Sequence, residues 1–244
     1  MSNSFDVIVV GGGHAGVEAA HAAARLGART ALITMSVETI AQMSCNPAIG
    51  GLGKGQIVRE IDALGGLMGL AIDATGIQFR MLNRSKGPAV WGPRAQADKW
   101  KYQEKIRALL AECPNLTILE DSVADIQVKE GKVKGVICES GSVYAATAVI
   151  LTTGTFLRGL MHLGTRQWAG GRYGEPAANQ LSGGLERIGL KLGRLKTGTP
   201  ARIRAGSINY GVMQPQPGDA EPEPFSFLND RIEQEQVNCW ITYT

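Results

Sequence analysis

An α/β fold built on a parallel sheet, with a β-meander returning to it, is predicted by three features of the 244-residue chain. The first is the apolar, β-branched run FDVIVV, Phe5 to Val10, which stops at three glycines and passes into an alanine-rich segment, Val17 to Leu26, itself stopped by Gly27. The second is TALIT, Thr30 to Thr34, a short strand that closes a βαβ unit, whose right-handed crossover makes the two strands parallel. The third is the stretch from Leu116 to Leu151. It divides into TILEDSVADIQV, the turn KEGK, VKGVICE, the turn SGS and VYAATAVILTTG, three successive strands joined by short glycine-containing turns.

Between these features, Ile57 to Leu70 reads as one helix, and Asp98 to Leu110 (DKWKYQEKIRALL) as a second whose apolar and aromatic residues recur at helical spacing, suited to covering a sheet. Pro215, Pro217, Gly218, Pro222 and Pro224 mark a loop-rich region. The final QVNCWITYT is β-prone and ends without a closing turn, so the chain reads as cut inside a strand.

Composition is that of a globular protein, 44% hydrophobic and 19% charged. The start, MSNSFDVIVVGGG, has no basic n-region and only a short apolar run, so neither a signal peptide nor a membrane span is expected and a cytoplasmic location is the default. Cys45, Cys113, Cys138 and Cys239 are widely spaced, and the three histidines do not join them at ligand spacing. A disulfide framework and a zinc site are therefore not expected, and no metal ligand is assigned. The net charge of +3 is unevenly spread. From Arg158 to Arg204 nine basic residues face two acidic ones, whereas from Ala205 onward six acidic residues face Arg231 alone. A basic block of this kind is either an electrostatic footprint for nucleic acid or a phosphorylated cofactor, or a solvated face.

Gly11, Gly13 and Gly16 match G-x-G-x-x-G between a strand and a helix, the dinucleotide fingerprint. Its glycines serve a tight turn, backbone approach to a pyrophosphate, and close helix packing, with helix N-terminal amides facing the phosphates. The acid expected about 20 residues on, at the end of the second strand, is missing; Thr34, Met35 and Ser36 stand there. The meander and the small-residue strand end AVILTTG favour FAD over NAD at this site. The stretch MSCNPAIGGLGKG, Met43 to Gly55, is not a triphosphate loop, because Ala48 and Gly55 occupy positions where G-x-x-x-x-G-K-[ST] requires Gly and Ser or Thr. Its bare backbone suits a flat flavin ring. Asn46 is either a polar contact or a turn residue before Pro47, and Lys54 either a ligand contact or a solvated lysine. His14 reads as a helix-start residue rather than a base.

GGGHAG at 11 to 16, MSCNPAIGGLGKG at 43 to 55, DALGGLM at 62 to 68, GIQFRMLN at 76 to 83, KGPAV at 86 to 90, RAQAD at 94 to 98 and RLKTGTPARI at 194 to 203 together resemble the FAD-dependent tRNA uridine 5-carboxymethylaminomethyl modification enzymes, the glucose-inhibited division protein A family. The resemblance runs along essentially the whole chain. The shorter folate- and FAD-dependent tRNA uracil methyltransferases share the opening but fit the middle motifs less well. Trp91 stands where many members carry a basic residue.

The resemblance implies a truncated two-dinucleotide-binding-type FAD domain, residues 1–204, followed over 205–244 by the start of an inserted NADH-associated domain. It implies modification of a tRNA wobble uridine at C5, with FAD, NADH as reductant and methylenetetrahydrofolate as one-carbon donor. A GTPase partner, and a homodimer when full-length, come with it. FAD contacts carried over are Gly11, Gly12, Gly13, His14, Ala15, Gly16, Asn46, Val123, Thr153 and Gly154; Cys45 is the catalytic candidate and Lys196, Arg202 and Arg204 the tRNA candidates. A general FAD-dependent reductase and a non-catalytic FAD- and tRNA-binding module remain as other classes. The reductase gives no reason for SCNPAIGG or RLKTGTP, whereas the binding module is compatible with the basic block.

Overall fold

The computed structural model describes residues 3–243. Along the chain run β1 (Ser4–Val10), α1 (His14–Arg25), β2 (Thr30–Thr34), β3 (Ala48–Gly50), α2 (Lys54–Ala63), α3 (Met68–Thr75), β4 (Gly76–Leu82), β5 (Gly92–Ala97) and α4 (Lys99–Ala111). Then come β6 (Leu116–Glu120), β7 (Val123–Lys129), β8 (Lys132–Cys138), β9 (Val143–Leu151), β10 (Leu160–Leu163), β11 (Arg166–Ala169), α5 (Leu181–Arg187), β12 (Gln214–Gln216) and β13 (Cys239–Ile241). They fall into two compact units, Met1–Gln42 with Leu109–Lys196, and Met43–Ala108 with Thr197–Thr244.

The first unit is built on a six-stranded sheet in the order β6-β2-β1-β9-β8-β7. β6, β2, β1 and β9 run parallel, and β9, β8 and β7 form the antiparallel meander. β2, inside the parallel part, is buried at all five residues, as a strand covered on both faces must be. Alternation along β1 sends Ile8 and Val10 into one core, where they meet Ile33, Ile126, Val136 and Cys138 beneath Leu181 and Leu185 of α5. Burial of each of those two leucines contributes about 1.5–3 kcal/mol. α1 packs on β1 and β2 through Gly16, Val17, Ala20 and Ala24. It ends where Gly27, at φ +93°, turns the chain back, its amide on the Ala24 carbonyl.

The α/β class expected from sequence is the class observed, but two elements divide differently. The run 117–128, expected as one strand, is two strands on opposite edges of the sheet. The Asp121 amide stays with β2 on the Thr34 carbonyl, whereas the Ser122 carbonyl already accepts from Glu139 at the end of β8. The Asp121 carboxylate holds that crossing by accepting from the Ser122 amide and the Ser140 hydroxyl. The helix expected over 57–70 is likewise two. α2 closes at Gly65, φ +85°, with the Gly65 amide on Asp62 O and the Gly66 amide on Ile61 O, and α3 starts afresh three residues after that glycine.

The second unit carries the antiparallel sheet β3-β5-β4 and the short pair β12-β13, so the β-prone run before residue 243 is a paired strand. Two buried carboxylates tie the segment 225–229 to its helices. Asp73 accepts from the Phe225 and Ser226 amides, both at 2.8 Å, and from Asn229 Nδ2 at 2.9 Å; Asp62 accepts from the Phe227 amide at 2.8 Å.

Burial raises the Asp73 pKa above the ordinary 3.8, and its three donors oppose but do not cancel this. A carboxyl with a raised folded-state pKa binds more protons folded than unfolded, so its contribution to stability falls as pH rises from 3.8 through the folded value. Asp73→Asn turns an amide against donors and is expected to cost about 1–3 kcal/mol. The deficit relative to wild type should be largest below that window and shrink above it. Urea unfolding of both proteins across acid pH measures this; a deficit that grows with pH contradicts it.

Candidate functional site

In the first unit the turn after β1 is determined by close backbone contact. Gly11 has φ +109° and its amide donates to Ile33 O. A Cβ on Gly16 would lie 1.8 Å from the Gly11 carbonyl oxygen, so only glycine lets α1 approach β1 this closely. Gly12 is packed against Thr34, whose Oγ1 lies 2.7 Å from the site of a Cβ. Gly13 differs. It is exposed, has an ordinary φ of −73°, and a Cβ there would meet nothing within 4 Å. No contact within the protein requires glycine at 13.

Gly13 is also the N-cap of α1, so no side chain caps the helix, and the first turn contains no acidic residue. The first-turn amides around His14 and Ala15 are thus oriented to receive an anion. His14 is half-buried and Ala15 exposed.

The strand-end contacts are set by Thr152, which the sequence did not single out. Its amide donates to Val10 O, and its hydroxyl, 2.8 Å from Val10 O and 3.0 Å from Gly11 O, shares its one proton between the two carbonyls. The expected Thr153 is half-buried with its carbonyl receiving the Phe156 amide, and Gly154 turns at φ +55°. Val123 is buried in the core beneath α5, leaving only its main chain to meet a ligand. The carboxylate found just past β2 comes from Glu120 of β6, which accepts from the Val37 amide at 2.7 Å. It is 83 residues away in sequence, and no local pattern signals it.

In the second unit, two of the four glycines of residues 43–55 answer to Pro93. A Cβ on Gly50 would lie 2.1 Å, and one on Gly55 2.5 Å, from the Pro93 carbonyl oxygen. Gly51 and Gly53, at φ +100° and +74°, have open space around them. The cysteine lies just upstream in the same loop. Cys45 Sγ donates to the Gly198 carbonyl at 2.9 Å, and Arg202 Nη2 donates to the carbonyls of Ser44, at 3.4 Å, and Cys45. The motif around 198–202 therefore grips the motif around 43–47. The Asn46 carbonyl receives the Ala48 amide, which makes Asn46 a turn residue in the backbone with its side chain exposed. Lys54 begins α2 as a partly exposed residue, and partial desolvation lowers its ammonium from the ordinary lysine range.

Burial acts on the thiols of Cys113, Cys138 and Cys239. It pushes Cys138 up to about 12, with Asp121 adding to it. It also raises Cys113, and it raises Cys239 against the opposing charges of Arg94 and Arg80. All four cysteines are free, and among the described residues no group of three or more His, Cys, Asp or Glu is placed to hold a metal ion. No described helix is long and apolar enough to cross a membrane.

The basic block is largely spoken for. Arg158 pairs with Glu186, Arg172 with Glu175 and Arg187 with Asp125. Arg194 donates to the Arg158 carbonyl, and Arg202 is engaged as above. Lys191, Lys196 and Arg204 are exposed on stretches without regular structure.

Residues 6–244 match the family described as "Glucose inhibited division protein A". Relatives named tRNA uridine 5-carboxymethylaminomethyl modification enzyme MnmG include that of Rhodopirellula baltica, 55% identical over 98% of this chain and 38% of its own length. That of Thermodesulfovibrio yellowstonii is 56% identical with the same shares. This chain thus spans about two fifths of the curated relatives it matches. The structure of Aquifex aeolicus GidA in its form I crystal superposes with a TM-score of 0.94 at 51% identity, over 97% of this chain and 41% of that one. The GidA-related protein of Thermus thermophilus, at 21% identity and a TM-score of 0.57 over 77% of this chain and 69% of its own, shares the fold. The fingerprint turn, the cysteine loop and the 194–203 segment thus stand in a chain that belongs to the glucose-inhibited division protein A family.

Proposed function

We propose that this chain is the N-terminal part of an FAD-dependent tRNA modification enzyme that adds an aminomethyl-type group, such as carboxymethylaminomethyl, at C5 of a wobble uridine. The names of its relatives support the reaction class and the tRNA substrate. The observation that carries the cofactor is Gly13, a glycine with no internal reason to be one, at the uncapped start of a helix. NADH as reductant, methylenetetrahydrofolate as carbon donor, a tRNA-modification GTPase as partner, a homodimer and a cytoplasmic location follow from the family resemblance. So does the assignment of 1–204 as the first part of the FAD-binding domain and 205–244 as the start of an inserted NADH-associated domain. That assignment concerns lineage; the compact units concern packing.

When bound, FAD supplies two-electron chemistry and carriage of the one-carbon unit. The residues of this chain bind and orient. Gly11 to Gly16 hold the pyrophosphate on the first turn of α1. Val123, Thr153 and Gly154 offer main chain to the cofactor, and Asn46 a side-chain contact. Cys45 is the nucleophile toward C6 of the uridine, which makes C5 reactive, and its structure states the condition for that role. Only the protonated thiol can donate to Gly198 O, so a Cys45 thiolate must first release that bond. Lys196, Arg202 and Arg204 are assigned to tRNA. Arg202 acts from where it grips the cysteine loop, while Lys196 and Arg204 act as exposed phosphate contacts.

Gly13→Val should leave the fold intact, since the added Cβ meets no protein within 4 Å, and should abolish FAD binding in a titration followed by flavin fluorescence. Gly16→Ala should instead fail to fold, driving a methyl into the Gly11 carbonyl. An unchanged FAD affinity in folded Gly13→Val removes the fingerprint from cofactor binding.

Cys45→Ser keeps a hydroxyl donor for Gly198. In a full-length protein bearing this sequence it should retain FAD and tRNA binding while wobble-uridine modification is lost, as for an interaction made only in the transition state. Modification at the wild-type rate takes Cys45 out of the mechanism, and loss of FAD together with activity makes it structural.

Reversing the charge of Lys196 and Arg204 together should weaken tRNA binding by this chain. The slope of log K against log salt should become shallower by about 0.9 for each phosphate that is no longer neutralised. Unaltered affinity and slope in a filter-binding series would return both residues to the solvated surface.

A further inference from the structure

The second unit contains a cavity of about 520 Å³ over the β4-β5 face that no part of the proposed mechanism uses. Its floor is two facing side-chain pairs. Gln78 stands opposite Gln96, and Arg80 directly opposite Arg94, in the antiparallel register. Like charges facing each other across a strand pair are unfavourable unless something between them compensates. Among the described residues neither Arg80 nor Arg94 has a carboxylate within ion-pair distance, and the Arg80 Nε is buried without a hydrogen-bond partner.

The neighbouring groups show that this is not a general lack of acids. Arg84, on the same lining, pairs with Asp219 at 3.6 Å and with Glu223 at 3.1 Å. Asp219, which also lines the cavity, is occupied on its other side by accepting from the Met81 amide at 2.7 Å. Gln78 is likewise fixed, donating to the Gln216 carbonyl at 2.7 Å. The paired and satisfied groups thus frame two cations that are neither. Guanidinium forks match the oxygen spacing of a carboxylate or phosphate, and the volume lies within the range of small-molecule sites and far beyond that of a single water.

We infer that the β4-β5 face of the second unit binds a small ligand through its carboxylate or phosphate group, held between Arg80 and Arg94. This site is independent of the FAD and tRNA assignments above, because none of its residues belongs to either.

The experiment titrates the chain with inorganic phosphate, with malonate and, separately, with tRNA, at ionic strength held constant with chloride, by calorimetry and thermal unfolding. Phosphate, malonate or both should bind saturably to the wild type. Arg94→Gln should weaken that binding roughly tenfold or more, the loss of a charge-assisted hydrogen bond, while Arg231→Gln should not. Without anion, Arg94→Gln should unfold at the wild-type temperature or above it, since it removes a like-charge contact; this separates loss of a ligand from loss of the fold. Should Arg94→Gln not fold, Arg80→Gln reports from the opposite strand. Absence of saturable binding of both probes to wild type overturns the inference, as does binding that Arg94→Gln leaves unchanged. Binding of tRNA alone that Arg94→Gln abolishes also overturns it, by making the pair an RNA contact.

Discussion

The contact on which the first unit depends is between main chains, where Gly16 of α1 lies against the carbonyl of Gly11. That half-buried carbonyl receives the hydroxyl of Thr152 at 3.0 Å. The same hydroxyl reaches Val10 O, and the same residue's amide does too, so β9 is locked to β1 at the point where the chain leaves both strands. From this one arrangement come the direction in which α1 presents its N-terminal amides, the parallel pairing of β1 with β9, and the position of the meander that β9 terminates. A larger residue at 16, or a residue without a donor at 152, would alter all three together.

What the sequence makes legible is what repeats locally. β1, α1 and β2 were visible because a β-branched run, a glycine turn and an alanine-rich helix each carry their own period. The break at Asp121 was not, because 117–128 was read as one β-prone run across the polar Glu120, Asp121 and Ser122, and the signal that divides it is a choice of partners: Thr34 on one side and Glu139 on the other. Thr152 escaped for a similar reason. Read along the chain it is one of two threonines before a glycine; only the fold shows that it and not Thr153 faces the fingerprint turn. The glycines of residues 43–55 illustrate the reverse error, for a pattern suited to a ligand is half explained by Pro93, about forty residues downstream.

Charge obeys the same limit. A count along residues 158–204 records nine cations, yet three of these are matched by carboxylates and two more by main-chain carbonyls. The exposed pairs among them, such as Arg158 with Glu186, add little stability, about 0–1 kcal/mol each, but they remove charge from any surface field. The opposite holds on β4 and β5, where two arginines sit in unremarkable strand sequences, GIQFRML and GPRAQA, and become notable only because register sets them face to face. Uncompensated charge is a property of partners, and sequence lists residues without them.

The cysteine loop shows how two separated motifs can be one device. MSCNPA and RLKTGTPARI are more than 140 residues apart, and each taken alone allows a bland explanation, a turn with a small apolar residue and a basic surface strand. Joined, they hold one another: Arg202 satisfies the carbonyls of Ser44 and Cys45, and Gly198 receives the thiol proton. The guanidinium sits at the main chain and not at the sulfur, so it positions the loop, and the sulfur's own hydrogen-bond partner is the Gly198 carbonyl. A nucleophilic Cys45 therefore needs the 197–201 backbone to move or a stronger acceptor to arrive. A Cβ on Gly198 would meet nothing within 4 Å, and residues 197–201 are exposed. The residues that hold the Cys45 sulfur and its loop are thus on an exposed segment, and the nucleophilic role proposed above requires that segment to give up the bond between Gly198 O and the thiol.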